Sequence, residues 1–318
     1  MSKQFQYNIE HLKCRKKITK SLVLIRQKHK FVIAKGVEMT PFSQSSTKIM
    51  AEQYKYLDSF IDQQRANGKY SFTTEGLHSQ LEVSENALKK ALQRLKNQGA
   101  VVLVRKSFYV IVPPEYRAKG IIPTSFFISD LMRFLNRDYY VGLLNAAALH
   151  GAAHQQPQSY TVITEGIALR AISNDKVNIT FYIKKSWNKK DVIKKKVDTG
   201  YINISSPEMT ALDMVNYYNE VGGFNRVATV IEELRENIQA DKLVETAKQY
   251  EEMVVVQRLG YLLECVLEEN ELCNALYNYL EPIGFYTTLL RPQRKKPESM
   301  ITGNRWKIVP NIEVEADI

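Results

Sequence analysis

The stretch Tyr70–Val112 constrains the fold most. Its turn-forming residues and the regular spacing of its apolar residues predict a series of short helices and strands in a defined order. A first short helix follows Thr73 or Thr74, either of which can serve as its N-cap. Ser84 stands where the N-cap of a second helix belongs, and Gly99 follows that helix at a position typical of helix ends. The order of helix, turn, helix and hairpin, with short connections, predicts a winged helix-turn-helix.

The second predicted helix, Glu85–Asn97, has two chemically different faces. Leu88, Leu92 and Leu95 recur at helical spacing and form an apolar inner face. The opposite face carries amides, which can pair with adenine, and cations, which can reach guanine or phosphate. With the N-cap included, the DNA contacts predicted for this helix are Ser84, Asn86, Lys89, Lys90, Gln93 and Arg94.

A hairpin is predicted after this helix. Ala100–Val104 and Phe108–Val112 are β-branched apolar runs, and a polar tip separates them. Arg105 and Lys106 at that tip are placed to reach the minor groove or its flanking phosphates. A solvated surface helix and a protein-binding module are the alternatives that this pattern leaves open.

The charge distribution favours a polyanionic partner for the N-terminal part. Residues 1–119 contain 22 lysines and arginines against 9 aspartates and glutamates, a net charge of +13. Residues 120–318 contain 22 against 25, a net charge of −3. A basic face of this kind is typical of nucleic-acid binding, although the asymmetry could also serve solubility alone.

Length and composition predict an α+β protein of three segments. Residues 1–48 form a basic N-terminal extension, which could be an arm on the phosphate backbone or a solvated tail. Residues 49–119 form the winged helix-turn-helix domain and begin with a helix from about Lys48 to Arg65. Residues 120–318 form a mixed α/β C-terminal domain.

The pattern of the C-terminal part changes along the chain. Phe126–Leu149 is predicted to be helical, with a break near Asn136-Arg137. Strands are predicted at Tyr160–Thr164, Ala168–Ala171, Val177–Ile183 and Gly200–Ile204. Ser206-Pro207 then starts a helical region with segments Thr210–Tyr218, Phe224–Glu236 and Leu243–Cys265, and a last strand is expected at Trp306–Val309.

Other features predict a cytoplasmic protein. Cys14, Cys265 and Cys273 are widely spaced and odd in number, which disfavours a disulfide framework or a zinc knuckle. Met1–Arg15 has no apolar core of the kind a secretory signal needs. No run approaches 18 apolar residues, so no membrane-spanning helix is predicted.

Two groups of residues could form a metal or ligand site, and both have simpler explanations. His150 and His154 would lie one helical turn apart, but the Glu of a zincin and a third ligand are missing. Lysine clusters around Trp187 could form a second polyanion patch, a docking face for an acidic partner, or a solvated loop. No Walker A, Gly-x-Gly-x-x-Gly or Gly-x-Ser-x-Gly motif is present. We therefore predict no cofactor, no metal and no catalytic residue, and thus a protein that is not an enzyme.

Several motifs together resemble the AbiEi-type antitoxins of abortive-infection type IV toxin–antitoxin systems. The resemblance covers about residues 50–310 and leaves the first 48 without a counterpart. It is carried by Ala87–Gly99, Phe108-Tyr109-Val110, Pro113–Arg117, Arg137–Leu144, Ala146-Ala147, His150–Gln155, Ser206–Glu208, Ala211-Leu212-Asp213, Gly222-Gly223, Arg226–Val230, Arg258–Leu263 and Arg305-Trp306-Lys307.

This resemblance implies a two-domain antitoxin without a cofactor. The winged helix would bind inverted repeats in the protein's own promoter and repress the operon. The C-terminal domain would counter a cognate nucleotidyltransferase toxin, with or without a stable complex. Two alternatives remain open: the winged helix binds the toxin directly, or the C-terminal domain acts on nucleotides as an enzyme.

Overall fold

The computed structural model describes residues 56–81, 83–152, 157–250, 252–292 and 302–316. The predicted extension 1–48, the start of the first predicted helix and His154 lie outside these residues. Residues Phe60–Ile318 make up one compact unit. The described residues form a mixed α and β structure, so the predicted α+β class is confirmed at this level.

The helices and the hairpin of the first layer follow the order expected from the sequence, whereas its first strand was not predicted. Residues 56–66 are helical (α1) and precede strand β1. Strand β3 pairs antiparallel with both β1 and β2, which gives a three-stranded sheet of order β1-β3-β2. The elements of this layer are β1 (Ser71–Thr73), α2 (Thr74–His78), α3 (Glu85–Asn97), β2 (Val101–Arg105) and β3 (Phe108–Ile111).

Both predicted helix starts in this layer are confirmed. The Thr73 side chain accepts a hydrogen bond from the N–H of Gly76, and the Ser84 side chain accepts one from the N–H of Ala87. Such caps satisfy backbone donors that the first helical turn leaves unpaired. After α3, the positive φ of Gly99 turns the chain into β2.

A six-stranded mixed sheet forms the centre of the C-terminal part. Its order is β6-β7-β5-β4-β9-β8, with parallel pairs β7–β5 and β4–β9 among antiparallel neighbours. The strands are β4 (Tyr139–Val141), β5 (Tyr160–Thr164), β6 (Ile172–Ser173), β7 (Asn178–Ile183), β8 (Val192–Val197) and β9 (Gly200–Ser205).

The prediction of a largely helical segment Phe126–Leu149 is wrong at its centre. Helix α4 (Ile128–Phe134) ends before Asn136, whose φ is positive, and helix α5 (Leu143–Leu149) begins only after β4. Tyr139–Val141 adopts the extended conformation because its side chains alternate between two buried faces of the sheet. The break expected near Asn136 is confirmed.

Two other strand predictions need correction. The expected strand Ala168–Ala171 is absent from this part of the described chain, and the short β6 lies just after it. Strand β8 was expected to be a lysine-rich loop or patch rather than a strand. Its lysines follow an outer strand of the sheet, where charge is tolerated because one side of the strand faces water.

Helices α6–α10 follow the sheet. Ser206 caps α6 with Pro207 at its first turn, as predicted. The single helix expected over Leu243–Cys265 is divided, because Tyr250 is extended. The helices are α6 (Pro207–Asn216), α7 (Phe224–Leu234), α8 (Ala240–Gln249), α9 (Met253–Cys265) and α10 (Asn270–Leu280). The last strand is shorter than expected: β11 (Ile308–Val309) pairs parallel with β10 (Thr288–Leu289).

Two cores lie on opposite faces of the six-stranded sheet. Tyr140 and its cross-strand partner Ile163 belong to one core, which helices α5–α10 complete. Val141 and its partner Val162 belong to the other, which also contains Phe108 and other residues of the β2–β3 hairpin. This second core therefore draws residues from both sides of the domain boundary predicted at 119/120.

No helix of the residues described above combines the length and the apolar character that a membrane span requires.

Candidate nucleic-acid interface

Helix α3 separates an apolar face from a polar one. Leu88, Ala91, Leu92 and Leu95 are buried, and the helix packs against β2. This burial orients α3 and leaves its other side in solvent. The predicted contact residues Asn86, Lys89, Lys90 and Gln93 are all exposed on that side.

Other predicted contact residues have more restricted positions. Arg94 is half-buried at the margin of the exposed face. The Gln93 side-chain amide donates to Asn97 Oδ1 at 2.9 Å. At the start of the helix, Ser84 Oγ accepts from the N–H of Ala87 at 3.4 Å, so this hydroxyl serves as a cap and remains exposed.

The two cations predicted at the hairpin tip differ in their surroundings. Lys106 is exposed. Arg105 is the last residue of β2, and its Nη1 donates to the carbonyl of Arg170 at 3.4 Å. The tip is further held by the N–H of Thr74, which donates to the carbonyl of Ser107 at 3.0 Å. Arg105 thus connects the hairpin to the loop after β5, and Lys106 is the freer cation.

A buried polar cluster was not anticipated from the sequence. The Asp213 carboxylate, fully buried, accepts from Lys184 Nζ and the Tyr250 hydroxyl on one oxygen, each at 2.8 Å. Its other oxygen accepts from the Tyr140 hydroxyl at 2.8 Å. Burial, together with the Asp213 charge, raises the pKa of Tyr140 and of Tyr250 well above the ordinary value, so both hydroxyls remain donors. Lys184 Nζ also lies 4.0 Å from the centre of the Tyr250 ring.

The structure does not support a metal at the histidine motif. Helix α5 ends at Leu149 and Gly151 has a positive φ, so this helix does not extend through the histidine motif. His150 Nε2 lies 2.8 Å from the carbonyl of Ser205. Burial lowers the pKa of His150, which favours the neutral ring as the donor in this bond. In the part of the chain that the structure describes, no three His, Cys, Asp or Glu side chains cluster as metal ligands.

Comparisons with known proteins agree with this architecture. The RV2827C protein from Mycobacterium tuberculosis has a similar fold, with a TM-score of 0.56 and 14% identity over 80% of this chain and 90% of that one. An antigenic nucleotidyltransferase-like protein from Paracoccidioides brasiliensis matches at a TM-score of 0.28 and 12% identity, over 47% of this chain and 88% of that one, which is too low to support an argument. None of the curated proteins compared with the sequence matches it.

A family model matches part of the chain. Residues 140–265 match the AbiEi antitoxin C-terminal domain, and this segment holds all four members of the Asp213 cluster. The resemblance drawn from the sequence motifs is thereby confirmed over residues 140–265, which match this antitoxin domain.

Proposed function

We propose that this protein is an antitoxin that binds inverted repeats in its own promoter, represses the operon and counters a cognate nucleotidyltransferase toxin. Residues 49–119 act as a winged helix-turn-helix domain and residues 120–318 as the antitoxin domain. This function places the protein in the cytoplasm, where the promoter is.

The two-faced helix α3 carries the DNA-binding proposal. Its buried leucines hold it against β2, and its outer face presents two lysines and two amides to solvent. A helix in the major groove needs this arrangement, with cations for phosphate or guanine and amides for adenine. The proposed contact residues are Ser84, Asn86, Lys89, Lys90, Gln93, Arg94, Arg105 and Lys106. Arg105 would release its hydrogen bond to the Arg170 carbonyl when it contacts DNA.

Binding of the full chain to its promoter duplex, compared with a scrambled duplex of equal composition, tests the operator claim. We expect clearly tighter binding to the promoter. Lys89→Ala and Arg94→Ala should each weaken it and lower the salt slope by about one per lost phosphate contact. Lys242→Ala is the matched control, because this exposed lysine lies on α8 outside the proposed interface. Equal affinity for both duplexes would overturn the claim.

Co-expression with the toxin tests the second half of the proposal. We expect the chain to restore growth, and we expect Lys89→Ala to restore it as well, because DNA contact and neutralisation use different parts of the chain. A stable complex with the toxin, in the absence of any shift of promoter DNA, would instead identify the winged helix as a toxin-binding module.

A further inference from the structure

A polar groove of about 950 Å³ lies beside the six-stranded sheet, and its lining includes no residue of α3. The groove is lined by residues from α4, from the segment that leads into β4, from the segments after β5 and after β7, and from the paired strands β8 and β9. The segments that form its walls come from five separate parts of residues 129–203. The groove is large enough for a ligand of nucleotide size.

The groove carries more positive than negative charge. Arg133, Arg137, Lys185 and Lys194 line it, against the two carboxylates Asp138 and Glu165. Arg133 is paired with Asp130 at 2.8 Å, whereas Arg137 and Lys194 form no ion pair with any residue that the structure describes. The excess of cations favours an anionic ligand, and Arg provides the planar fork that binds phosphate oxygens.

One of these cations lies close to the backbone of a glycine turn. Arg137 Nη1 lies 2.5 Å from the point where a side-chain Cβ would begin at Gly166, and the φ of Gly166 is +85°. Only a glycine allows the guanidinium to approach this turn so closely. Gly166 therefore leaves room for the Arg137 guanidinium at the wall of the groove.

An exposed aromatic ring lies next to the cations. The Tyr201 side chain lines the groove with 62% of its surface exposed. In the β8–β9 register, Tyr201 is opposite Lys196 and Asn203 is opposite Lys194, so these four side chains share one face of the hairpin. An aromatic ring beside ammonium groups suits a flat base that is joined to a phosphate.

We propose that this groove binds a ribonucleoside phosphate. Arg137 and Lys194 hold the phosphate, and the base stacks on Tyr201. Asp138 and Glu165 also line the groove, and a carboxylate there could accept hydrogen bonds from ribose hydroxyls, the same chemistry by which an acidic residue recognises ribose in dinucleotide-binding folds. The site is separate from the proposed DNA contacts and does not depend on them.

Calorimetric titration of the full chain with ATP, GTP, CTP and UTP tests the site, with sodium phosphate and the matching deoxynucleotides as comparison ligands. We expect at least one ribonucleotide to bind about tenfold or more tightly than phosphate, because base stacking alone contributes that much. It should also bind more tightly than its deoxy form. The site is ruled out if no ribonucleotide binds more tightly than inorganic phosphate.

Variants locate the binding site within the groove. Arg137→Ala and Lys194→Ala should each weaken binding about tenfold, as expected for one charge-assisted hydrogen bond. Tyr201→Ala should weaken it similarly and Tyr201→Phe should not, since phenylalanine keeps the stacking surface. Lys195→Ala is the matched control, because Lys195 is the next residue of the same strand and points to the opposite face. Equal losses for Lys194→Ala and Lys195→Ala would refute the site.

Two further measurements identify the ligand's source and separate this site from the DNA interface. If a short single-stranded RNA displaces the bound nucleotide, the ligand is a terminal nucleotide of RNA. If the RNA does not displace it, the ligand is a free nucleotide. Lys89→Ala should retain nucleotide binding, and Lys194→Ala should retain promoter binding. Loss of both activities in Lys194→Ala would contradict a separate site.

Discussion

At the scale of single residues, Asp213 joins parts of the chain that are far apart in sequence. Its three donors come from β4, from the residue after β7 and from the residue after α8. A buried carboxylate is tolerated only where its charge is paired and its lone pairs are occupied. The cluster therefore secures one end of the sheet to the helical layer, and its filled hydrogen bonds indicate a structural role.

Asp213→Asn tests this role. The change leaves the Lys184 charge without its partner in a site where the lysine side chain is only 11% exposed. Breaking a buried pair in this way typically costs about 3–5 kcal/mol, and we expect a loss in that range in urea unfolding. Arg133→Ala removes the exposed Arg133–Asp130 pair as the control and should cost at most about 1 kcal/mol. Equal losses would contradict the buried role.

His150 should make stability depend on pH. Burial lowers its pKa in the native state, so the unfolded chain binds the proton more readily. The free energy of unfolding should consequently fall as pH drops below about 6.5, the ordinary histidine value, until the lowered native pKa is reached. We expect His150→Gln to flatten this dependence in unfolding curves recorded across that range. His78→Gln, at an exposed position on α2, is the matched control; a profile unchanged by His150→Gln would disprove the assignment.

At the scale of elements, helix α9 and the C-terminal segment meet at a glycine. A Cβ at Gly260 would lie 2.1 Å from the ring of Trp306, which is fully buried. The Trp306 indole N–H donates to Glu264, one turn further along α9, and Arg305 pairs with the same carboxylate at 2.8 Å. This contact explains why Gly260 and Arg305-Trp306 occur among the motifs that carried the family resemblance.

Gly260→Ala should therefore destabilise the protein, although alanine is the better helix former. Forcing the indole to move costs about 1–3 kcal/mol, as is usual for overpacked cores. Thermal unfolding with Gly303→Ala as the control measures this, because a Cβ at Gly303 meets no atom within 4 Å. A higher Tm for Gly260→Ala would contradict this prediction, because it would show that the helix can accommodate a Cβ beside Trp306.

Elements with strong end signals could be predicted, and short buried strands could not. The bounds of α3 agree with the prediction because Ser84 and Gly99 mark both ends and its leucines keep a helical period. Strand Tyr139–Val141 is too short to show the alternation of side chains that marks a strand, and it lies between two apolar helices. Three consecutive lysines favoured a surface loop at residues 194–196, although this segment pairs with the adjacent strand β9 in a tight hairpin.

The same distinction applies to the sites. The exposed face of α3 could be derived because its residues lie within one helix. The Asp213 cluster and the groove combine residues from several strands and helices, and no spacing in the sequence connects them. Arg105 was expected to face DNA, and its contact with Arg170 depends on how the hairpin packs.

At the scale of the whole molecule, the hairpin and the six-stranded sheet share one core. Phe108 and Val110 are buried together with Val162 and Ile204. Secondary elements that share a core usually unfold together. The layer that carries the proposed DNA contacts is thus expected to respond to events in the antitoxin domain.

Native-state hydrogen exchange tests this coupling. The amides of β3 and β5 should lose protection with the same free energy, and Val110→Ala should lower both by about 1–3 kcal/mol. The exposed Tyr201→Ala change serves as the comparison, because it removes no core contact. Exchange of β3 at a clearly lower free energy than β5 would show two independent units.

Strand β8 has a consequence for how copies of the chain behave toward one another. As the outer strand of its sheet, it presents backbone groups that could extend the sheet into a neighbouring molecule. Lys194, Lys195 and Lys196 set three positive charges along that edge. Two such edges repel each other at close range, which keeps concentrated protein from assembling into fibrils through its own sheet.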